Sequence, residues 1–253
     1  MIKNRLINYI LLISFLYFNP FYAQQESKTP NIVFYLSDDQ DLLDYGVYGN
    51  PNVQTSNADL LASQGMKFSN FYTGQAICAP SRSQIFTGMY PVKNGCMANH
   101  IGVKPDIKSI SSLLKESGYE VVLAGKSHVK PNKVFDWTHY FPKINNRYLP
   151  LGQIDDYLKN VNKPFCLIIA SDYPHGPYPQ TSNYSKADIF KLPYDPSYIG
   201  NHKPGYYQNI QDDNDQLGQV LNMVDNYGLR AVSYTHLRAH ETSLHLVCRL
   251  LLE

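Results

Sequence analysis

Apolar residues enter this chain in two rhythms. Short unbroken runs, Ile32-Val33-Phe34-Tyr35-Leu36, Val121-Val122-Leu123-Ala124 and Phe165 to Ala170, predict strands over 31–37, 120–125 and 165–171. An unbroken run, rather than an alternating one, is what a strand shows when helices cover both faces of a mainly parallel sheet. Between the runs lie segments with helical spacing, predicting helices over 56–64, 79–88, 109–117 and 206–227. Ile210, Leu217, Val220, Leu221 and Val224 form an apolar stripe on the last of these, its packing face. Gly118 and Gly228 stand where helices should stop. Segment 129–163 and the Tyr/Pro-rich stretch 173–207 read as loops on the ligand side. The fold class expected is α/β, a mainly parallel sheet sandwiched by helices.

The two ends depart from this pattern. Lys3 and Arg5 followed by the apolar stretch Tyr9 to Phe18 read as a secretory signal peptide, residues 1–23, with cleavage after Ala23. About ten apolar residues are too few to span a bilayer, so stable membrane insertion is not expected and the location is secreted or periplasmic. From Val232 onward the sequence can be back-translated into a transposase sequencing adapter. Residues 232–253 are therefore read as a sequencing artefact and left out of the fold reasoning, which leaves one catalytic-sized unit over 24–231. His236, His240, His245 and Cys248 belong to that tail and are given no metal role.

A formal charge of +1 offers no electrostatic case for nucleic acid as a partner. Outside the tail the cysteines are Cys78, Cys96 and Cys166, an odd count that argues against a disulfide framework. Cys96 and Cys166 read as small buried side chains.

Cys78 is different. The run Cys78-Ala79-Pro80-Ser81-Arg82 places a thiol at a helix start with an arginine one turn behind it, and Pro80 suits the first turn. Helix N-termini attract phosphate, sulfate and carboxylate, and a guanidinium adds a fork of donors matched to them. By itself the run also suits a free cysteine packed in a helix cap. In open α/β sheets ligands bind beyond the carboxyl ends of the strands, and each expected strand ends in polar residues. Asp38 and Asp39 follow the first, and as a pair they offer oxygen ligands to a hard cation such as calcium, or else cap a turn. Lys126 and His128 follow the second, two apart and so on one face of extended chain. Asp172 and His175 follow the third, His175 held between Pro174 and Gly176. His100, His139 and His202 have no comparable context.

These segments, in this order, resemble the type I sulfatases of the alkaline phosphatase superfamily. The resemblance rests on C-x-P-S-R at Cys78, Asn31 to Gln40 with its acidic pair, Gly118 to His128 with its G-K-x-H ending, Asp172 to Pro177, and Asp215-Gln216-Leu217-Gly218. It implies a Cys78 oxidised after translation to formylglycine by a formylglycine-generating enzyme, and calcium held by Asp38, Asp39 and the residue at 78. Arg82 and Lys126 would stabilise sulfate oxygens, His128 would move a proton at the nucleophile, and His175 would protonate the leaving group. The stretch from Gly125 to Asp136 resembles the sulfamidase, or heparan N-sulfatase, branch. The implied substrates are sulfate esters or sulfamates of polysaccharide or glycosaminoglycan fragments. Two rivals share these residues: a phosphonate or phosphate monoester hydrolase of the same superfamily, and a non-catalytic sulfoglycan-binding relic. After Arg230 the family continues into a strand with further metal ligands, a second lysine and a smaller domain. The chain as written is therefore expected to lack strands of its sheet and to be inactive.

Overall fold

The computed structural model describes residues 29–69, 72–189 and 203–229, together with the backbone of 233–238 and 246–249. The signal-peptide reading, residues 190–202 of the second loop and His202 lie outside the described residues.

The strands are β1 (Asn31–Asp38), β2 (Met66–Lys67), β3 (Glu120–Gly125), β4 (His139–Pro142), β5 (Phe165–Pro174), β6 (Ser233–Arg238) and β7 (Leu246–Arg249). They form one sheet in the order β2-β7-β6-β1-β5-β3-β4. From β6 to β4 all neighbours run parallel, and β7 and β2 are added antiparallel at one edge. The helices are α1 (Ser56–Ser63), α2 (Cys78–Thr87), α3 (Pro91–Asn94), α4 (Ile110–Glu116), α5 (Leu151–Asn160) and α6 (Lys203–Asn226).

Alternation along each strand sends successive side chains to opposite faces, so two cores share one sheet. Val33, Tyr35, Val122, Ala124, Leu167 and Ile169 pack with Leu61 of α1, Ile154 and Leu158 of α5, and Leu217, Val220 and Val224 of α6. Leu36, Val121, Leu123, Cys166, Ile168 and Ala170 pack with Ala79 and Phe86 of α2 and with Val129, Val134 and Phe135. Each such aliphatic, fully removed from water, contributes about 1.5–3 kcal/mol, which is why both faces had to be apolar. The α/β reading and the three central strands stand as expected. Gly118 and Gly228 do end helices, at φ +86° and +66°, and Cys96 and Cys166 are free and buried.

One expectation is corrected, and two observations are added to the reading. Segment 129–163 is not a loop: Val129, Val134 and Phe135 plug the core, and the segment supplies β4 and α5. Leu151, Ile154 and Leu158 carry helical spacing that marked α5, whereas four residues of β4 give no period to read. Asp215 of the expected D-x-x-G segment is exposed, and the acid that α6 buries is Asp213. Finally, β1 does not lack a neighbour on the side away from β5. Ser233–Arg238 pairs with it in parallel register, Asn31 opposite Ser233, so these residues take part in the sheet.

Candidate active site

The parallel strands β1, β3 and β5 carry their polar residues to the same end of the sheet. Leu36 pairs with Ala170 but Asp38 with Pro174, so β5 bulges by two residues around Ser171 to Tyr173 just where β1 ends. A bulge at a strand terminus re-aims side chains, here Asp172. Asp39 then turns the chain at φ +60°, a region that aspartate tolerates better than most residues. Gly125 ends β3 at φ +101°, and a Cβ there would collide with the carbonyl oxygen of Ala170. Glycine at this place lets the Lys126 amide bond to Ala170 at 2.8 Å and turns the lysine into the cleft. Cys78 is the first residue of α2, and Gly88 ends that helix at φ +66°.

Around these ends the charges interlock. Asp38 is completely buried; one oxygen accepts from Arg82 Nη2 at 3.2 Å and the other from Lys126 Nζ. Arg82, also fully buried, gives Nη1 to the Lys126 carbonyl at 2.7 Å, while its Nε has no partner. The Cys78 thiol faces Asp39 Oδ1 at 3.7 Å, and His175 Nε2 lies 3.4 Å from Asp39 Oδ2. Ligand atoms of Asp38, Asp39 and Cys78 lie within 4.8 Å of one another.

The surroundings set the protonation. Burial and the neighbouring Asp38 push the Asp39 carboxyl above its ordinary range. Burial, then Asp38 and Asp39, push the Cys78 thiol up to about 12, the reverse of the lowered thiol that a cysteine nucleophile needs. Burial, then Lys126 and Arg82, bring His128 down to about 4, so near neutral pH it is an uncharged imidazole. Its Nδ1 is buried without a hydrogen-bond partner.

Every residue singled out in the sequence, Asp38, Asp39, Cys78, Arg82, Lys126, His128 and His175, thus lies at this end of the sheet. Two details differ from expectation. The α2 amides do not all face open space, because Ala79 N donates to Asn99 Oδ1 at 3.0 Å. Arg82 spends its fork on Asp38 and the Lys126 carbonyl rather than leaving it free for an anion. The sequence reading also missed several residues. His100, given no role, sets its ring 5.4 Å from that of His128. Asp172 draws in Lys143 at 2.7 Å, Lys126 at 3.5 Å and Arg147 at 3.6 Å. Asn209 of α6 reaches the carbonyls of Pro174 and His175 at 3.2 and 3.3 Å. The Asn145-Asn146 pair, a turn signal, was the available clue to Lys143 and Arg147.

A carboxylate pair and a helix-start cysteine meet buried Arg82 and partly exposed Lys126 at the carboxyl ends of a parallel sheet, and this chain belongs to the sulfatase family, whose model (Sulfatase) matches residues 30–232. Among curated proteins it is 51% identical over 212 residues to an ulvan-active sulfatase of Formosa agariphila, covering 79% of this chain and 42% of that one. It is 28% identical over 177 residues to an N-acetylglucosamine-6-O-sulfatase of Bacteroides thetaiotaomicron, covering 60% of this chain and 32% of that one. The chain therefore spans less than half the length of these relatives. Among solved structures, a yidJ sulfatase from Bacteroides fragilis superposes with a TM-score of 0.77 at 18% identity, covering 90% of this chain and 69% of that one. Among the described residues no helix is long and apolar enough to cross a membrane.

Proposed function

We propose that this chain carries the nucleophile and half of the metal cage of an enzyme that hydrolyses sulfate esters on a polysaccharide. The observation that carries the reading is the meeting of Cys78, Asp38 and Asp39 within 4.8 Å, beside the cations Arg82 and Lys126. The relatives named for ulvan and for an N-acetylglucosamine 6-O-sulfate favour ester sulfate over sulfamate, and ulvan is the first substrate to try.

The carboxylate pair fits calcium: two adjacent acids, one of them wholly buried, offer hard oxygen ligands whose mutual repulsion a divalent cation would relieve. A thiol is a soft ligand, so residue 78 fits calcium better as an oxygen-bearing formylglycine than as cysteine. When bound, calcium would add positive charge beside the sulfate oxygens. Oxidised to formylglycine, residue 78 would supply an oxygen nucleophile toward sulfur in place of the thiol. In this reading Arg82 holds Asp38 in place, and Lys126, partly exposed to the cleft, meets a sulfate oxygen. Uncharged His128 accepts a proton at the nucleophile, and His175 delivers one to the departing sugar oxygen. A formylglycine-generating enzyme is the implied partner. Export through residues 1–23 would bring the enzyme to a polymer outside the cytoplasm.

In the full-length gene product, mass spectrometry of the peptide spanning residue 78 should find an aldehyde in place of the thiol. Cys78→Ala should lower turnover of ulvan oligosaccharides by at least about 10³-fold. An unmodified thiol in active enzyme, substantial activity in the variant, or faster cleavage of a phosphate than of the matching sulfate ester would overturn the reading.

A further inference from the structure

His175 sits on a loop with few backbone donors of its own. Pro174 and Pro177 have no amide hydrogen, so the segment is rich in carbonyls and poor in donors. Within it the His175 ring Nδ1 lies 2.7 Å from the Gly176 carbonyl, and two side chains from elsewhere in the fold reach the loop's carbonyls.

One is Arg147. Asn145 and Asn146 adopt the left-handed conformation, at φ +51° and +57°, and close a tight turn in which Ile144 and Tyr148 exchange backbone hydrogen bonds at 2.8 and 2.9 Å. Asparagine is suited to such positions. The turn presents Lys143 and Arg147 together to Asp172 on the β5 bulge. From there Arg147 Nη1 donates to the carbonyls of His175 at 2.7 Å and Gly176 at 3.2 Å, and Nη2 to that of Pro177 at 3.3 Å. Its guanidinium carbon also lies 4.1 Å from the centre of the Tyr173 ring. A planar fork can bridge three successive carbonyls while stacked on an aromatic face; an ammonium cannot. The other side chain is Asn209, which is 1% exposed; its Nδ2 donates to Pro174, His175 and Pro177 carbonyls at 3.2–3.4 Å.

We propose that Arg147, together with Asn209, is a positioning residue for His175: the pair grips the loop backbone, including the Gly176 carbonyl that lies 2.7 Å from the ring Nδ1, so that Nε2 is held over the site where the sugar oxygen departs. This inference rests on the reading of His175 as the leaving-group acid. Neither residue touches the reacting atoms, so their effect passes entirely through where the imidazole is held. A positioned acid contributes about 10²–10⁴-fold, and a displacement near 1 Å forfeits about 10²-fold. That loss falls only on substrates whose leaving group needs a proton.

The test compares kcat on an ulvan oligosaccharide, a poor leaving group, with kcat on 4-nitrophenyl sulfate, a good one, for His175→Ala, Arg147→Ala, Arg147→Lys and Asn209→Ala in the full-length enzyme. Arg147→Ala should lose about 10²-fold on the oligosaccharide and less than about threefold on the aryl sulfate, following the selectivity of His175→Ala. Arg147→Lys, which keeps the charge beside Asp172, should lose activity with the same selectivity, and it decides the matter if the alanine variant does not fold. Asn209→Ala should show the same selectivity in a milder form. Equal losses on both substrates, or a change in KM alone, would assign Arg147 a structural or binding role and overturn the proposal. If His175→Ala itself shows no selectivity, the fault lies in the reading of His175, and the clamp falls with it.

Discussion

Two buried aspartates, Asp38 of β1 and Asp213 of α6, lie on opposite faces of the sheet end and are handled in opposite ways. Asp38 ends β1 on the α2 side and is met by full charges, Arg82 and Lys126. Ser37, its neighbour, points to the α6 side, where its hydroxyl donates to Asp213 at 2.6 Å and the Tyr35 hydroxyl donates to the same carboxylate at 2.8 Å. Asp213 thus receives neutral hydroxyls where Asp38 receives cations. Burial, with a smaller contribution from Asp38, pushes the Asp213 carboxyl up to about 7 despite the bonds from Ser171, Ser37 and Tyr35 that lower it. Burial alone therefore says little about a carboxylate's role. One is paired with cations at the mouth of a cleft, while burial favours a proton on the other, which its hydroxyl partners hold as a pin between β1 and α6.

The largest effect that could break this contrast is Asp38→Asn. It would leave Arg82 fully buried with no carboxylate and Lys126 without its nearest partner. Removing one member of a buried pair typically costs about 3–5 kcal/mol. Chemical denaturation of the variant at pH 8 should show a loss of that order together with loss of turnover. A variant as stable as the parent would mean that Arg82 is compensated elsewhere, and Asp38 would then be no anchor for the cations.

The same contrast explains what could be read from the sequence. Asp38, Cys78, Lys126 and His175 were legible because each follows directly on a strand or opens a helix, so chain order alone carries them to one end of the sheet. Arg147 and Asp213 were not. Arg147 reaches the site from a turn in a segment with no long apolar run, through contacts with a loop about thirty residues further on. Asp213 was masked by Asp215, two residues away but on the exposed side of α6. Helical spacing was the missed clue, because Tyr206, Asn209, Ile210, Asp213 and Leu217 share the buried face. Polar residues that interrupt an apolar stripe on its site-ward half mark where a packing helix becomes part of a site.

A substitution identical to the first should act in the opposite direction on α6. The native carboxyl of Asp213 titrates near 7 and the unfolded one near its ordinary value of 3.8. Between these pH values the native state binds more protons than the unfolded state, so this group makes stability fall as pH rises from about 4 to about 7 and leaves it level above. At roughly 1.4 kcal/mol per unit, the cost at pH 8 is a few kcal/mol at most. Asp213→Asn cannot ionise and can still accept from Tyr35. It should match the parent near pH 4 and exceed it by about 1–3 kcal/mol at pH 8. Denaturant midpoints measured across that range would expose a parallel pair of curves, which would mean that Asp213 is ionised in the folded protein and that the two aspartates do not differ as argued.

The smallest effect sharpens the comparison from outside. Lys108 and Glu116 form an ion pair at 2.7 Å, closer than the 3.2 Å of Arg82 and Asp38, but their side chains are 62% and 58% exposed. If distance set the strength of these pairs, the surface one would outrank the buried one. Water and side-chain entropy reverse that order, and exposed pairs contribute about 0.2–1 kcal/mol. Lys108→Ala should therefore move the denaturation midpoint by less than about 1 kcal/mol, and about 0.5 M salt should erase most of that difference by screening. The same salt should leave the penalty of Asp38→Asn nearly unchanged, because no solvent reaches that pair. A salt-insensitive cost at Lys108 would show that proximity, rather than exclusion of water, governs charge pairing in this molecule, and the distinction between Asp38 and Asp213 would lose its physical basis.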